Sequence, residues 1–92
     1  MKLGALIRKL RRTECLTVRQ LASEVGRTPG YISRVEARGE IPSPELICRL
    51  ADALGAEPGR LLNLAESDVV GRKERDIQRK HQTALKLYRR TK

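Results

Sequence analysis

The chain has no tryptophan and no phenylalanine; its aromatic residues are Tyr31 and Tyr88. Any core must therefore be aliphatic, which suits a small helical bundle better than a sheet. Cysteine is scarce too, with only Cys15 and Cys48, and His81 is the lone histidine. Without a CxxC pair or a second imidazole, no zinc site is expected. Paired carboxylates, a Ser/His/Asp set and a phosphate loop are all missing at meaningful spacing, so the sequence points away from an enzyme and calls for no cofactor. Two thiols without a disulfide framework fit a reducing cytoplasm. The apolar runs are too short to span a bilayer, and Met1 leads directly into a helical pattern, so neither a membrane anchor nor a targeting segment is expected. No alternation of period two and no internal repeat occurs.

What the chain does have is positive charge. Its 92 residues carry a formal net +9, a balance that favours polyanionic partners. The charge is uneven. Residues 1–65 hold eleven Lys/Arg against seven Asp/Glu, and residues 66–92 hold nine against four. A merely soluble basic surface would show the same totals.

The remaining signal is helical periodicity and punctuation. Leu3, Leu6, Ile7 and Leu10 recur at helical spacing and predict a helix over about 2–13. Thr17 with Gln20 three residues later forms a capping box that opens a second helix, 18–25, with Val18, Leu21, Ala22 and Val25 inward. Gly26 stands where a helix end needs a left-handed residue. Thr28 caps a third helix with Pro29 at its first turn, anchored by Ile32 and Val35 and ending near Ala37. Ser43 and Pro44 open a fourth, with Leu46, Ile47, Leu50, Ala51 and Leu54 inward and Gly55 at its end. A short fifth helix, about 58–65, contributes Leu61, Leu62 and Leu64, with Glu57 a poor cap. In residues 66–92, Val70, Ile77 and Ala84 stand seven apart, with Leu85 and Tyr88 on the same side: a thin apolar stripe on a basic helix.

The second and third helices, joined at a glycine, have the pattern of a helix-turn-helix over 18–37. Ala22 is small where two such helices cross, and Gly26 marks the turn. The run LTVRQLASEVGRTPGYISRVEARGEIPSPELICRLADALGAEPGRLL resembles the Xre family of Cro/CI-type helix-turn-helix regulators. Three segments carry the resemblance in the right order and spacing: L-x-x-x-x-L-A, I-S-R-x-E and P-S-x-x-x-x-x-x-L-A-x-A-L-G. It covers residues 3 to about 65. The resemblance implies an all-α, five-helix lambda-repressor-like domain at 1–65, to which the stripe and charge of 66–92 add a basic helical extension. It also implies double-stranded DNA as partner, bound as a homodimer on a palindromic operator.

Carried over by position, the resemblance places base-reading groups at Pro29, Gly30, Ser33 and Arg34, with Arg34 foremost, since a guanidinium can bond guanine O6 and N7 together. Arg19, Arg27, Thr28, Tyr31 and Arg38 are expected at phosphates or base edges. Pro29 and Gly30 depart from the long polar residues common in the family. Val18 replaces a frequent glutamine, leaving Arg19 to substitute. Arg11 and Glu36 are expected to form a structural pair between the first and third helices. Cys15 stands where the family often has glycine, and Gly39 lies one residue later than usual.

The resemblance implies a transcriptional regulator, most simply a repressor, located in the cytoplasm with the nucleoid. An antitoxin or restriction–modification controller of the same fold is a second reading, with residues 66–92 as the segment binding a toxin or other protein. A third is an interaction module that no longer meets DNA. The extension itself has three readings: packing on a partner subunit, lying along the DNA backbone, or remaining solvated.

Overall fold

A computed structural model describes residues 2–71. Among these residues the fold is all-α, with five helices and no strand. Helix α1 spans Leu3–Thr13, α2 Val18–Val25, α3 Pro29–Ala37 and α4 Pro44–Leu54. Helix α5 begins at residue 58 and is helical through 71, where the described residues end.

The caps explain most of these boundaries. At α2, Gln20 N–H donates to Thr17 Oγ1 at 3.0 Å, and Thr17 N–H donates to Gln20 Oε1 at 2.8 Å. Thr28 Oγ1 accepts from Tyr31 N–H, and Ser43 Oγ from Leu46 N–H. At the other end of α2, Gly26 has φ 70°. There Arg27 N–H reaches Ala22 O at 2.9 Å, closing a Schellman turn that satisfies an orphan carbonyl.

Helix α1 ends in the same turn without a glycine. Cys15 holds φ 57°, while Leu16 N–H bonds Arg11 O and Cys15 N–H bonds Arg12 O, both at 3.0 Å. The chain thus keeps the left-handed geometry that glycine adopts freely, against a Cβ penalty of about 1–2 kcal/mol. After α3, Gly39 takes φ 71°, and the turn closes more widely, with Glu40 N–H reaching Arg34 O at 3.3 Å.

The aliphatic side chains of all five helices meet in one core. Leu3, Leu6 and Ile7 of α1, Leu21, Ala22 and Val25 of α2, and Ile32 and Val35 of α3 are buried with Leu46, Ile47, Leu50, Ala51 and Leu54 of α4. Leu61 and Ala65 of α5 complete it. Leu10, Val18, Leu62 and Leu64 are only partly buried and pack against its edge. No polar or charged residue among those described is classed as buried.

The fifth helix is better capped than its sequence suggests, and it runs unbroken into the extension. Glu57 does cap it: its Oε1 accepts Gly59 N–H at 3.3 Å. The helix also continues past residue 65 to residue 71. Leu61, Ala65 and Asp68 follow one another on one face, the first two in the core. Asp68 Oδ2 accepts Leu3 N–H at 3.0 Å. Lys2, at the N-cap of α1, makes no side-chain cap bond, so a carboxylate 65 residues away supplies the cap and complements the helix dipole. The stripe residue Val70 is exposed. Ile77, His81, Ala84, Leu85 and Tyr88 lie outside the described residues.

Glycine has one further role. A Cβ on Gly4 would collide with Val35 O and stand 2.9 Å from Glu36 O. The bare backbone of α1 therefore lets the C-terminal end of α3 approach closely.

Candidate nucleic-acid interface

Two anchors set the position of α3. Ile32 and Val35 fix its inner side in the core. At its C-terminal end, Glu36 takes a two-bond grip from Arg11 of α1: Nε to Oε2 at 2.8 Å and Nη2 to Oε1 at 3.0 Å. Arg11 Nη1 also donates to Leu16 O at 2.9 Å. One guanidinium thus ties together α1, the loop before α2 and the end of α3. The two side chains are only 12% and 5% exposed. The hydrogen bonds to Glu36 hold the guanidinium charged and raise its pKa above the ordinary arginine value, opposed by desolvation and aided by the carboxylate charge.

With the inner side held, Thr28, Pro29, Gly30, Ser33 and Arg34 are all exposed, and Tyr31 is half-buried. Nine helical residues at 1.5 Å each make a rod about 13 Å long, short enough to enter a major groove. Arg27 precedes this helix and Arg38 follows it, both exposed. Arg19 is exposed in the first turn of α2. Exposed cationic side chains therefore flank both ends of α3.

The helix start offers few donors. Pro29 has no N–H, and Tyr31 N–H is spent on Thr28 Oγ1 at 3.2 Å. The Thr28 hydroxyl accepts that bond and keeps its own proton to donate, and Gly30 beside it is exposed.

Arg34 is already oriented. Its Nε donates to Glu40 Oε2 at 2.8 Å, and its guanidinium carbon lies 5.6 Å from the Tyr31 ring centroid, a cation–π arrangement. The guanidinium also lies close to the backbone of α3: a Cβ on Gly30 would stand 3.8 Å from Arg34 Nη1, an ordinary contact. Partial burial raises the Tyr31 pKa, the Glu40 charge adds to the rise, and Arg27 and Arg34 oppose it. Tyr31 is therefore a neutral phenol at physiological pH, able both to donate and to accept.

Sequence reasoning missed Glu40. It lies in the loop six residues beyond Arg34, outside the three- and four-residue spacings that signal helix-face pairs. Asp68 and Gly4 were missed because their partners lie 65 and about 31 positions away. No local pattern reports such distances.

Chemically, the surface supplies hydrogen-bond donors, cations and one rigid helix. It lacks a nucleophile–base pair. Among the described residues no cluster of His, Cys, Asp and Glu could hold a metal ion, and no helix is long and apolar enough to cross a membrane. An exposed helix with a guanidinium on its outward face and basic residues at both ends has the form of a helix-turn-helix surface that meets nucleic acid.

Comparison with known proteins agrees. A family profile described as "Helix-turn-helix domain" matches residues 2–65, and the chain belongs to that family. Two crystal structures of the clp gene regulator ClgR from Corynebacterium glutamicum are similar to it. One is 35% identical, covering 71% of this chain and 84% of that chain with a TM-score of 0.60. The other is 31% identical, covering 89% and 88% with a TM-score of 0.62. No curated protein matches significantly. The chain is thus a DNA-binding transcription regulator with an Xre/Cro-like fold.

Proposed function

We propose that the protein is a cytoplasmic, sequence-specific repressor that binds a palindromic operator as a homodimer. The observation that carries this reading is the exposure of Ser33 and Arg34 on the outward side of α3, between Arg27 and Arg38. In the dimer, two copies of α3 enter successive major grooves about 34 Å apart, one duplex turn. Arg34 reads guanine through its terminal nitrogens, worth about 1–3 kcal/mol of discrimination. Pro29, Gly30 and Ser33 approach base edges, and the Thr28 hydroxyl with the helix-start N–H groups holds a phosphate. Arg19, Arg27, Arg38 and Tyr31 bind the backbone and fix register without reading sequence. Residues 1–65 form the DNA-binding unit, and 66–92 serve assembly or backbone contact. A compact domain seated on promoter DNA blocks access to it, which requires no ligand site.

The test is to select bound duplexes from a random pool, measure stoichiometry on the winner, and compare variants. Arg34→Ala should lose affinity for the selected duplex and retain it for random duplex. Arg27→Ala should weaken both alike and reduce the salt dependence. Equal losses on both duplexes for Arg34→Ala would refute its base-reading role, and a one-to-one complex on the winner would refute the dimer.

A further inference from the structure

The geometry points to Glu40 as a positioning residue for sequence recognition: it aims the Arg34 guanidinium so that its two terminal nitrogens reach a guanine. This rests on the assignment of Arg34 as a base reader and adds a residue from a different element.

Three contacts support it. Glu40 Oε2 accepts from Arg34 Nε at 2.8 Å. That bond occupies the one nitrogen nearest the stem and leaves Nη1 and Nη2, which make no hydrogen bond among the described residues. Glu40 is itself tied to α3, because its backbone N–H donates to Arg34 O at 3.3 Å. The carboxylate therefore belongs to a turn anchored on the same helix. On another side, Tyr31 lies beneath the guanidinium at 5.6 Å. A long flexible side chain is thus held at its stem and along one face while its far edge is free.

The pair's energy is small and its geometry is what matters. Arg34 and Glu40 side chains are 48% and 41% exposed, so solvent screens the attraction and the bond adds little to folding. A fixed guanidinium loses less freedom when it bonds a base, and its planar fork suits two parallel acceptors. Glu40 also sets a limit on partners. A carboxylate beside the helix repels phosphate, so its presence lowers affinity for duplexes that offer Arg34 no acceptors. Both effects act in the same direction, towards the guanine-bearing site.

The experiment compares Glu40→Gln, Arg34→Ala and the double variant with the parent protein. The probes are the selected duplex, a series with each base pair substituted in turn, and a random duplex. Thermal unfolding first verifies that each variant folds. For Glu40→Gln, preference for guanine at one position should fall at least about threefold, a fraction of the discrimination carried by a bidentate contact. Affinity for random duplex should stay equal or rise. In the Arg34→Ala background, Glu40→Gln should leave base preference unchanged. If Glu40→Gln shifts all duplexes by one common factor, the residue acts through charge alone and the positioning role is overturned. If Arg34→Ala leaves base preference intact, the base-reading assignment itself fails, and Glu40 fails with it.

Discussion

Replacing Glu36 with glutamine removes the negative charge that compensates Arg11 in a place where water does not replace it. The two side chains are 12% and 5% exposed. The substitution weakens the Nε bond of 2.8 Å and opposes an amide to the Nη2 donor, while the Leu16 carbonyl remains as partner to Nη1. Breaking a fully buried ion pair from one side costs about 3–5 kcal/mol, since an uncompensated charge is left behind, and this largely covered pair belongs at the lower end. That is a large share of the 5–15 kcal/mol available to an ordinary domain. For a chain of 92 residues, a loss of 3 kcal/mol lowers the melting temperature by about 12–24 °C. Urea unfolding at fixed protein concentration measures the loss, and a cycle with Arg11→Met and Arg11→Met/Glu36→Leu isolates the coupling. The apolar double variant should recover most of the stability. A loss under about 1 kcal/mol for Glu36→Gln, or a double variant as unstable as the two singles added together, would refute the account. The arginine side adds no pH dependence near neutrality. A raised pKa means its contribution is complete below the ordinary arginine value and is lost only in strong alkali.

Other outcomes follow from the same geometry. Gly4→Ala should destabilise the fold by about 1–3 kcal/mol in denaturant unfolding despite alanine's better helix propensity, because its methyl meets the Val35 and Glu36 carbonyls. Asp68→Ala should remove the cap on α1 and cost about 1 kcal/mol by the same measurement. In Tyr88→Phe protein, where Tyr31 is the remaining tyrosine, phenolate absorbance should rise at higher pH than in the unfolded chain, and adding Glu40→Gln should move the titration back down. The raised pKa favours the neutral phenol in the fold, so this contribution holds below the unfolded value and is lost as pH climbs through the folded one.

Much of the fold was legible because its signals are local. A capping box at Thr17 and Gln20, the caps at Thr28 and Ser43, and left-handed glycines at 26 and 55 act within a few residues of the boundaries they make. The inward stripes of α1 to α4 follow from the 3.6-residue period, which places Leu3, Leu6 and Ile7, or Leu46, Leu50 and Leu54, on one side. What was not legible is that the helix from residue 58 runs without a break into the extension. The continuity accompanies contacts with the core and with the first N–H of α1, whereas the sequence reading closed one helix near residue 65 and placed another in the basic segment after it.

The sequence by itself determined where the helices begin and turn, which side of each is greasy, and that a cationic chain presents polar groups from Thr28 to Ala37. Those outcomes depend on spacing of a few residues, and spacing is written in the chain. Tertiary structure alone decided that a carboxylate in the loop would hold the Arg34 stem, that residue 68 would cap residue 3, and that α1 would need a bare backbone at Gly4. Each joins groups whose distance is set by how whole helices pack, a quantity that no short stretch of sequence contains.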